Sequence, residues 1–334
     1  MKNRVMSNKA FLTINDRVYG QFSVSESILI DLIESPAIQR LKQINQLGMP
    51  QRFYPYPGFS RYEHSVGVML LLKKLNADLE EQIAGLVHDV SHTAFSHIVD
   101  WVIGDREKED HQDKNLEKII SASTIPDIVK RYGFEPDKVT DIEKYGLLER
   151  PAPQLCADRI DYALREFSTW ADPEGVNGCA KNLIVYNGQI VFAKRKIAAR
   201  FAQSYAKCQR EHWGGAECTV RWELLSRALK TELKEEIIKL DDFYSDDEHI
   251  INRLVQSRNT EIGKVLDLLK TEKLKLRENQ RNPEFNLKKK FRYVDPHYTE
   301  NGTLHVLSES IEYQDFLKGQ RAINERRIKV DLIA

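Results

Sequence analysis

Histidines are concentrated in one stretch of this sequence. Five of the nine lie between His64 and His111, and two belong to the short string His88-Asp89-Val90-Ser91-His92. Neutral imidazole binds first-row transition ions, and a neighbouring carboxylate supplies an oxygen ligand that also suits magnesium. A single histidine is more often a hydrogen-bonded core residue, but this density of histidine beside aspartate favours a divalent-metal site.

The spacing within this stretch predicts how the side chains are presented. Apolar residues recur at helical intervals over residues 80–102, which predicts one buried helix that also carries His97. On such a helix His88 and His92 share a face, and Asp89 lies about 100° from His88. A buried histidine beside a buried aspartate is costly unless a metal or strong hydrogen bonds satisfy both.

The rest of the chain predicts a mainly α-helical fold with small β-hairpins. Helices are expected over residues 25–47 (divided at Ser35-Pro36), 62–75, 111–120, 154–170 and 196–240, hairpins over 11–23 and 183–192, and short strands over 291–294 and 303–307. The Asn187-Gly188 pair is the clearest turn signal. Charge-rich sequence follows Asp241, so we expect a helical core over 1–240 and a smaller α+β region over 241–334.

Composition excludes several classes of partner. Lys+Arg and Asp+Glu balance at 50 each, so no global field favours nucleic acid or a membrane surface. No apolar run approaches the roughly 18 residues of a membrane span, and the charged start, residues 1–4, argues against a secretory signal. The four cysteines show no C-x-x-C spacing, which favours reduced thiols and a cytoplasmic location.

Five ordered blocks resemble the HD-domain metal-dependent phosphohydrolases, in particular the deoxynucleoside triphosphate triphosphohydrolase branch that includes the sterile-alpha-motif HD-domain enzymes. The blocks are residues 39–48, 60–67, 83–89, 95–97 and 158–162. His64, then His88-Asp89, then Asp158 follow the H…HD…D pattern of that superfamily. The resemblance extends over residues 8–215, and five blocks in order are far more specific than one HD dipeptide.

The resemblance implies a divalent metal ion and a set of site residues. Manganese, iron, magnesium, zinc, nickel and cobalt all remain open as the metal. The implied residues are the metal ligands His64, His88, Asp89 and Asp158, the catalytic histidines His92, His97 and His111, the phosphate contacts Arg61, Arg159, Tyr162 and Arg200, and the sugar contacts Gln46 and Leu47. The last two equally suit helix surface and core.

Three departures from the family pattern concern the substrate rather than the metal. The string His88-Asp-Val-Ser-His-Thr93 lacks both glycines that the family usually carries there. Gln112 follows His111 where an acid is common, and Glu166 stands where a shorter aspartate is frequent. The metal pattern is intact, so hydrolysis is better supported than a preference for triphosphates.

The leading hypothesis is an HD-domain phosphohydrolase that cleaves deoxynucleoside triphosphates to nucleoside and tripolyphosphate with metal-activated water. The alternatives are a nucleotide monophosphatase or phosphodiesterase with the same ions, or a non-catalytic HD protein that binds nucleotide or nucleic acid. The resemblance also implies a homo-oligomer. Basic and aromatic residues alternate over Lys288–Arg292, which suits weak nucleic-acid binding, although a solvated loop leading into a strand is the favoured interpretation.

Overall fold

A computed structural model of the chain describes residues 11–288 and 290–333. The first part contains β1 (Leu12–Asp16), β2 (Gly20–Val24), α1 (Ser27–Ile33), α2 (Pro36–Arg40), α3 (Arg61–Lys74), α4 (Leu79–Val87) and α5 (Ile98–Val102). The middle part contains α6 (His111–Ser121), α7 (Ile125–Arg131), α8 (Pro136–Thr140), α9 (Ala157–Glu166), α10 (Val176–Lys181), β3 (Leu183–Tyr186), β4 (Gln189–Phe192), α11 (Arg195–Cys208) and α12 (Ala216–Lys234). The last part contains α13 (Asp247–Gln256), α14 (Thr260–Leu269), β5 (Leu276–Glu278), β6 (Phe285–Leu287), β7 (His297–Glu300), β8 (Thr303–Val306), α15 (Ile311–Glu325) and β9 (Ile328–Leu332).

Helix α3 lies at the centre of the helical part. Apolar side chains occupy all its faces, as expected for a helix covered on every side, and it packs against α4 and α9. Gly85 makes the close approach of α4 feasible, because a Cβ there would lie 2.4 Å from Leu72 Cδ1. At its start, Ser60 accepts a hydrogen bond from the Glu63 amide, which fixes where α3 begins.

Three small sheets accompany the helices, and the mainly α prediction is confirmed. β1 and β2 form an antiparallel hairpin, and β3 and β4 form the second predicted hairpin. Both residues of its turn, Asn187 and Gly188, have positive φ, which this tight turn requires. β4 also pairs in parallel with β7, so strand order in this sheet is β3-β4-β7-β8, and the third sheet has the order β5-β9-β6.

The region after residue 240 shares a core with the helical part. One apolar cluster joins Phe95 and Leu225 to Phe243, Phe285 and Val330. The pairing of β4 with β7 links the same two regions. The division of the chain into two regions at residue 240 stays a prediction.

Two predictions of secondary structure are wrong. Residues 80–102 do not form one helix, because α4 ends at Val87 and α5 begins only at Ile98. Residues 291–294 form no strand, although 303–306 do. In the described part of the chain, no helix combines the length and apolarity needed to cross a bilayer. The charged residues 1–4 lie outside that part.

Candidate metal centre

The four predicted metal ligands converge from three elements. His64 lies in α3, and Asp158 occupies the first turn of α9. His88 and Asp89 directly follow the end of α4. His64 Nε2 lies 2.9 Å from Asp158 Oδ1 and 3.7 Å from Asp89 Oδ2. His88 Nε2 lies 3.5 Å from Asp89 Oδ1 and 3.6 Å from Asp158 Oδ1, so two imidazole nitrogens and two carboxylates face one another.

The hydrogen bonds of the two imidazoles leave both Nε2 atoms able to bind a cation. His88 Nδ1 donates to the carbonyl oxygen of Gly85 at 2.7 Å, and His64 Nδ1 donates to Asp161 Oδ2 at 2.8 Å. Neutral imidazole then carries its lone pair on Nε2, the arrangement usual in histidine metal ligands. His88 Nε2 is buried and has no hydrogen-bond partner among the described residues. Two lone pairs facing two carboxylates fit a divalent ion with nitrogen and oxygen ligands.

The charges of the buried carboxylates also favour binding of a cation. Burial by itself lowers the pKa of His64, but hydrogen bonds with Asp158 and Asp161 raise it to about 9, so without an ion His64 Nε2 holds a proton against Asp158 that a cation would replace. Burial raises the pKa of Asp158, yet the neighbouring imidazoles of His64 and His88 hold it well below its usual range. The carboxylates thus stay charged and draw positive charge into a buried site.

Arg61 holds Asp89 in place. Its NH1 donates to Asp89 Oδ2 at 2.8 Å, and both side chains are almost fully buried. Burial raises the pKa of Asp89, but the charge of Arg61 holds it well below its usual range. Arg61 also donates to Ser96 Oγ at 3.0 Å and to the Gln46 carbonyl oxygen at 3.3 Å. Arg61, predicted to bind phosphate, therefore contacts a metal ligand in this structure.

A second ion-pair chain holds His64. Asp161, which accepts from His64 Nδ1, also accepts from Arg165 Nε at 2.8 Å. Arg165 in turn donates to Asp16 Oδ2 of β1 at 2.7 Å. Gly67 leaves room for this pair, because a Cβ there would lie 1.9 Å from Arg165 NH2. Sequence reasoning assigned none of these residues a role, although positions 158, 161 and 165 share one face of α9.

The chain between α4 and α5 is a compact loop rather than a helix. Phe95 and Ser96 both have positive φ, at 61° and 46°. A Cβ on Gly48 would lie only 2.2 Å from the carbonyl oxygen of Phe95, and Gly48 has a φ of +81°. The close approach of the loop therefore needs glycine at this position. The predicted helical face shared by His88 and His92 is therefore wrong, and the two residues converge through a loop.

Asp247, in the first turn of α13, holds this loop from the distant C-terminal region. Its buried carboxylate accepts from the Phe95 amide at 2.7 Å and from the Asn45 amide at 2.9 Å. Burial raises the pKa of Asp247 to about 7. The Ala94 amide donates to the Phe243 carbonyl oxygen at 2.7 Å, which adds a second tie. Sequence periodicity carried no signal for these contacts.

The loop places His92 and His97 beside the metal ligands. His92 Nε2 lies 3.2 Å from Asp89 Oδ1, and the His92 and His97 rings meet edge to face with centroids 5.1 Å apart. Burial, reinforced by the charge of Arg61, lowers the pKa of His92 to about 3. Burial likewise lowers the pKa of His97 to about 3. Both imidazoles are therefore neutral at pH 7 and can donate one N–H each.

His111, the third predicted catalytic histidine, begins α6 and has different neighbours. Its amide donates to Asp100 Oδ1 at 3.1 Å, and its Nε2 lies 3.4 Å from the Tyr244 hydroxyl. Asp100 Oδ2 also lies 3.7 Å from His97 Nδ1. Asp100 therefore lies between the His111 backbone and the imidazole of His97.

The predicted phosphate contacts on α9 are engaged with the protein itself. Arg159 donates to the carbonyl oxygens of Gln154 at 2.5 Å and Arg150 at 3.3 Å, which holds the loop before α9. The Tyr162 hydroxyl lies 2.5 Å from the Tyr205 hydroxyl, and the Tyr162 ring centroid lies 6.3 Å from that of His64. Tyr162 therefore borders the metal ligands directly.

The remaining predicted substrate contacts have different surroundings. Gln46 lies next to the Arg61 guanidinium, and its Oε1 is buried without a partner among the described residues. Leu47 packs against an apolar cluster. Arg200 is half exposed and forms two hydrogen bonds of 2.7 and 2.6 Å to Asp172, and this ion pair includes none of the four metal ligands.

Two further acids, Glu149 and Asp113, experience the charges of the candidate ligands, and a third, Glu166, had been noted from the sequence. Burial, reinforced by the charge of Asp158, raises the pKa of Glu149 to about 7, and burial with the charge of Asp89 raises that of Asp113 to about 6. A bound cation offsets the charges of those aspartates. Glu166 accepts from Trp170 Nε1 at 3.0 Å and Trp213 Nε1 at 3.3 Å, and His212 Nε2 lies 3.2 Å away.

The basic segment over Lys288–Arg292 packs on the protein. Lys288 Nζ lies 3.1 Å from Glu107, and Lys290 Nζ lies 3.5 Å from Glu109. Arg292 forms an ion pair with Glu109, whose side chain is almost fully buried. Lys289 lies outside the described residues.

Sequence comparisons agree with this geometry. The family profile described as HD domain matches residues 61–161, which contain all four ligands. An uncharacterized Bacillus subtilis protein, YdhJ, is 37% identical over 288 residues, 85% of this chain and 88% of that protein. The chain belongs to the HD-domain phosphohydrolase superfamily. Such an enzyme is a hydrolase that uses a divalent metal.

Further relatives of this HD-domain protein match shorter segments. The metal-dependent phosphohydrolase cns2 of Cordyceps militaris is 37% identical over an aligned region that covers 50% of this chain and 48% of that protein. The deoxynucleoside triphosphate triphosphohydrolase SAMHD1 of Bos taurus is 31% identical over a region that covers 37% of this chain and 25% of that protein. The crystal structure of a phosphohydrolase from Bacteroides thetaiotaomicron has the same fold, with a TM-score of 0.67, 19% identity and coverage of 90% and 94% of the two chains.

Proposed function

We propose that this HD-domain protein hydrolyses nucleotides, and that its leading substrates are deoxynucleoside triphosphates, cleaved by water to deoxynucleoside and tripolyphosphate. The observation that carries the proposal is the convergence of His64, His88, Asp89 and Asp158, where His88 Nε2 has no hydrogen-bond partner in the described part of the chain. The likeness of residues around this centre to SAMHD1, whose name states that activity, supports the choice of substrate.

The residues around the centre have distinct tasks in this proposal. His64, His88, Asp89 and Asp158 would hold a divalent ion, and that ion would supply Lewis-acid chemistry, which makes water more acidic and polarises a phosphoryl oxygen. Arg61 and Asp161 orient the ligands Asp89 and His64. His92 and His97, neutral at pH 7, donate N–H groups to phosphate oxygens, where an incoming negative charge raises their proton affinity. An imidazole that takes up a proton from solvent in this way can, as imidazolium, pass it to the leaving oxygen and return to its neutral form.

A second candidate is hydrolysis of a nucleotide monophosphate or a phosphodiester by the same centre. It is favoured by the engagement of Arg159 with the Gln154 carbonyl oxygen and of Glu166 with two tryptophans. Arg159 was predicted to contact the phosphates, and Glu166 stands where the family frequently has a shorter aspartate. Binding of nucleotide without turnover is the third candidate.

Product analysis separates these candidates. Purified protein is incubated with manganese, magnesium, iron, zinc, nickel or cobalt and a panel of deoxynucleotides, ribonucleotides and phosphodiesters. Tripolyphosphate release supports the first candidate, and orthophosphate or a nucleoside monophosphate supports the second. Metal binding with no product from any substrate refutes hydrolysis.

An Asp89→Ala variant shows whether turnover comes from this centre. It is expected to lose both bound metal and activity and to keep a helical circular dichroism spectrum. Asp267→Ala, which removes an exposed carboxylate of α14 that pairs with Lys270, is the matched control and is expected to retain both. Activity that persists in Asp89→Ala would show that another protein or site produces it.

We also propose a homo-oligomer in the cytoplasm. Light scattering after size-exclusion chromatography tests the oligomer, and a single monomeric species contradicts it.

A further inference from the structure

A basic groove lies apart from the metal ligands, between α15 and the chain around residues 286–293. Its volume is about 630 Å³, within the range of small-molecule sites. The residues lining it include five cationic side chains, namely Arg106, Lys288, Lys290, Arg321 and Arg327. Among the described residues that line it, only Glu107 and Glu325 carry carboxylates.

One wall of the groove is formed by residues 290–293, an extended segment in which basic and aromatic side chains alternate. Lys290 and Arg292 turn to the buried carboxylate of Glu109. The intervening Phe291 and the following Tyr293 turn the other way and stack, with ring centroids 5.3 Å apart and planes 18° from parallel. The Glu109 ion pairs thus anchor the segment and leave its aromatic side toward the groove.

Arg321 of α15 completes this aromatic surface. Its guanidinium carbon lies 5.9 Å from the ring centroid of Phe291 and 5.6 Å from that of Tyr293. Both rings are half-buried and Arg321 is exposed, so the three flat groups present a partly open stacking surface. Aromatic rings and guanidinium planes are the groups on which nucleobases stack.

Carboxylates neutralise only part of the positive charge in the groove. Arg106 pairs with Glu223 at 2.9 Å and Lys288 with Glu107 at 3.1 Å. Arg321 and Arg327 form no ion pair with any described residue, and the only partner of the Arg327 guanidinium is Asn286, at 2.6 Å to its Oδ1. Two guanidinium groups without carboxylates match the bidentate geometry of phosphate.

We propose that this groove binds a phosphorylated nucleobase, with the base on the Phe291–Tyr293–Arg321 surface and the phosphate on Arg321 and Arg327. The ligand comes either as a free nucleotide or as part of a single-stranded nucleic acid, which present the same two groups. The groove is separate from the metal ligands, so binding does not depend on hydrolysis.

Binding is tested on the full chain stripped of metal with a chelator, and on the Asp89→Ala variant, so that no probe is consumed. The probes are ATP, a ten-residue oligothymidylate, tripolyphosphate and adenosine, measured by calorimetry. ATP or the oligonucleotide is expected to bind more tightly than tripolyphosphate or adenosine, because each of the latter lacks one of the two recognised groups. A preference for ATP identifies a free nucleotide, and a preference for the oligonucleotide identifies a nucleic acid.

Substitutions locate the binding. The double variant Arg321→Gln with Arg327→Gln is expected to weaken the preferred probe by about tenfold or more, since each charged hydrogen bond lost corresponds to at least that factor. Lys318→Gln, one turn away on α15 and paired with Asp315, is the matched control and is expected to leave affinity unchanged. The proposal is overturned if neither ATP nor the oligonucleotide binds, or if the double variant binds as tightly as the control. An enzyme inactive on every nucleotide leaves this result unaffected.

Discussion

Replacing Asp161 with asparagine tests how the metal centre is held together. Asp161 is fully buried, and its carboxylate accepts from His64 Nδ1 at 2.8 Å and from Arg165 Nε at 2.8 Å and NH2 at 3.2 Å. Asparagine has the same shape but only one oxygen. Either its NH2 group faces the Arg165 donors, or it faces His64 and forces the proton onto Nε2, where it blocks the metal.

The expected cost follows from that conflict. Loss of a carboxylate that orients a metal-binding histidine lowers metal affinity by about 10–100-fold, or about 1.4–2.7 kcal/mol. Metal content by mass spectrometry after competition with a chelator measures the affinity directly, and turnover is expected to fall with it. Circular dichroism shows whether the variant is folded.

Asp16→Asn is the comparison variant. Asp16 contacts Arg165 at 2.7 Å but not His64, so most of the metal affinity is expected to remain. A folded Asp161→Asn protein that binds metal as tightly as the wild type would falsify the role given to this carboxylate. Equal losses in the two variants would instead indicate a general loss of stability.

Three further substitutions test the surroundings of the centre. Gly67→Ala places a methyl group 1.9 Å from a buried guanidinium. It is expected to lower the free energy of unfolding by about 1–3 kcal/mol, measured by thermal or chemical denaturation, and to lower metal content. Gly178→Ala is the control and is expected to be neutral, because its methyl group meets nothing within 4 Å. Burial raises the pKa of Glu109, but its ion pairs lower it overall, so its stabilisation is present above the unfolded pKa of about 4.3 and is lost as pH falls through the folded value. The melting-temperature difference between wild type and Glu109→Gln is therefore expected to shrink from pH 7 toward pH 4, while exposed Glu107→Gln shows little difference at any pH; a Glu109→Gln difference independent of pH contradicts the assignment. Asp247→Ala leaves two loop amides without acceptors, at about 1–3 kcal/mol each, and is expected to reduce turnover and metal content; wild-type values for both would contradict its role as a clamp.

The sequence predicted that the four candidate metal ligands come together, because their identity and order match a recognisable pattern, and the structure brings these side chains together. That they bind a metal stays a prediction. It also predicted most helices and the β1–β2 and β3–β4 hairpins, though not the β7–β8 hairpin, since apolar spacing and the Asn187-Gly188 turn are local signals. The helix over residues 80–102 was wrong for a physical reason. The loop there depends on positive φ at Phe95 and Ser96, and no side-chain pattern marks residues other than glycine for that conformation.

Contacts between distant parts of the chain were the other omission. Asp247 and Phe243 hold a loop some 150 positions earlier, and this pairing leaves no periodic trace. The roles of Asp161 and Arg165 would have been easier to predict from the sequence, because both residues follow Asp158 on one face of α9. The orientation of Arg61 toward Asp89 rather than toward solvent also depends on tertiary packing alone.

The tie between Asp247 and the Phe95 amide has a consequence for how the enzyme matures. A nascent chain that has emerged from the ribosome only as far as residue 240 already contains all four ligands but cannot yet secure the loop that presents Asp89 and His92. Metal loading is therefore expected to follow the synthesis of α13. A truncated product ending before Asp247 would carry the whole HD motif and still capture its ion poorly.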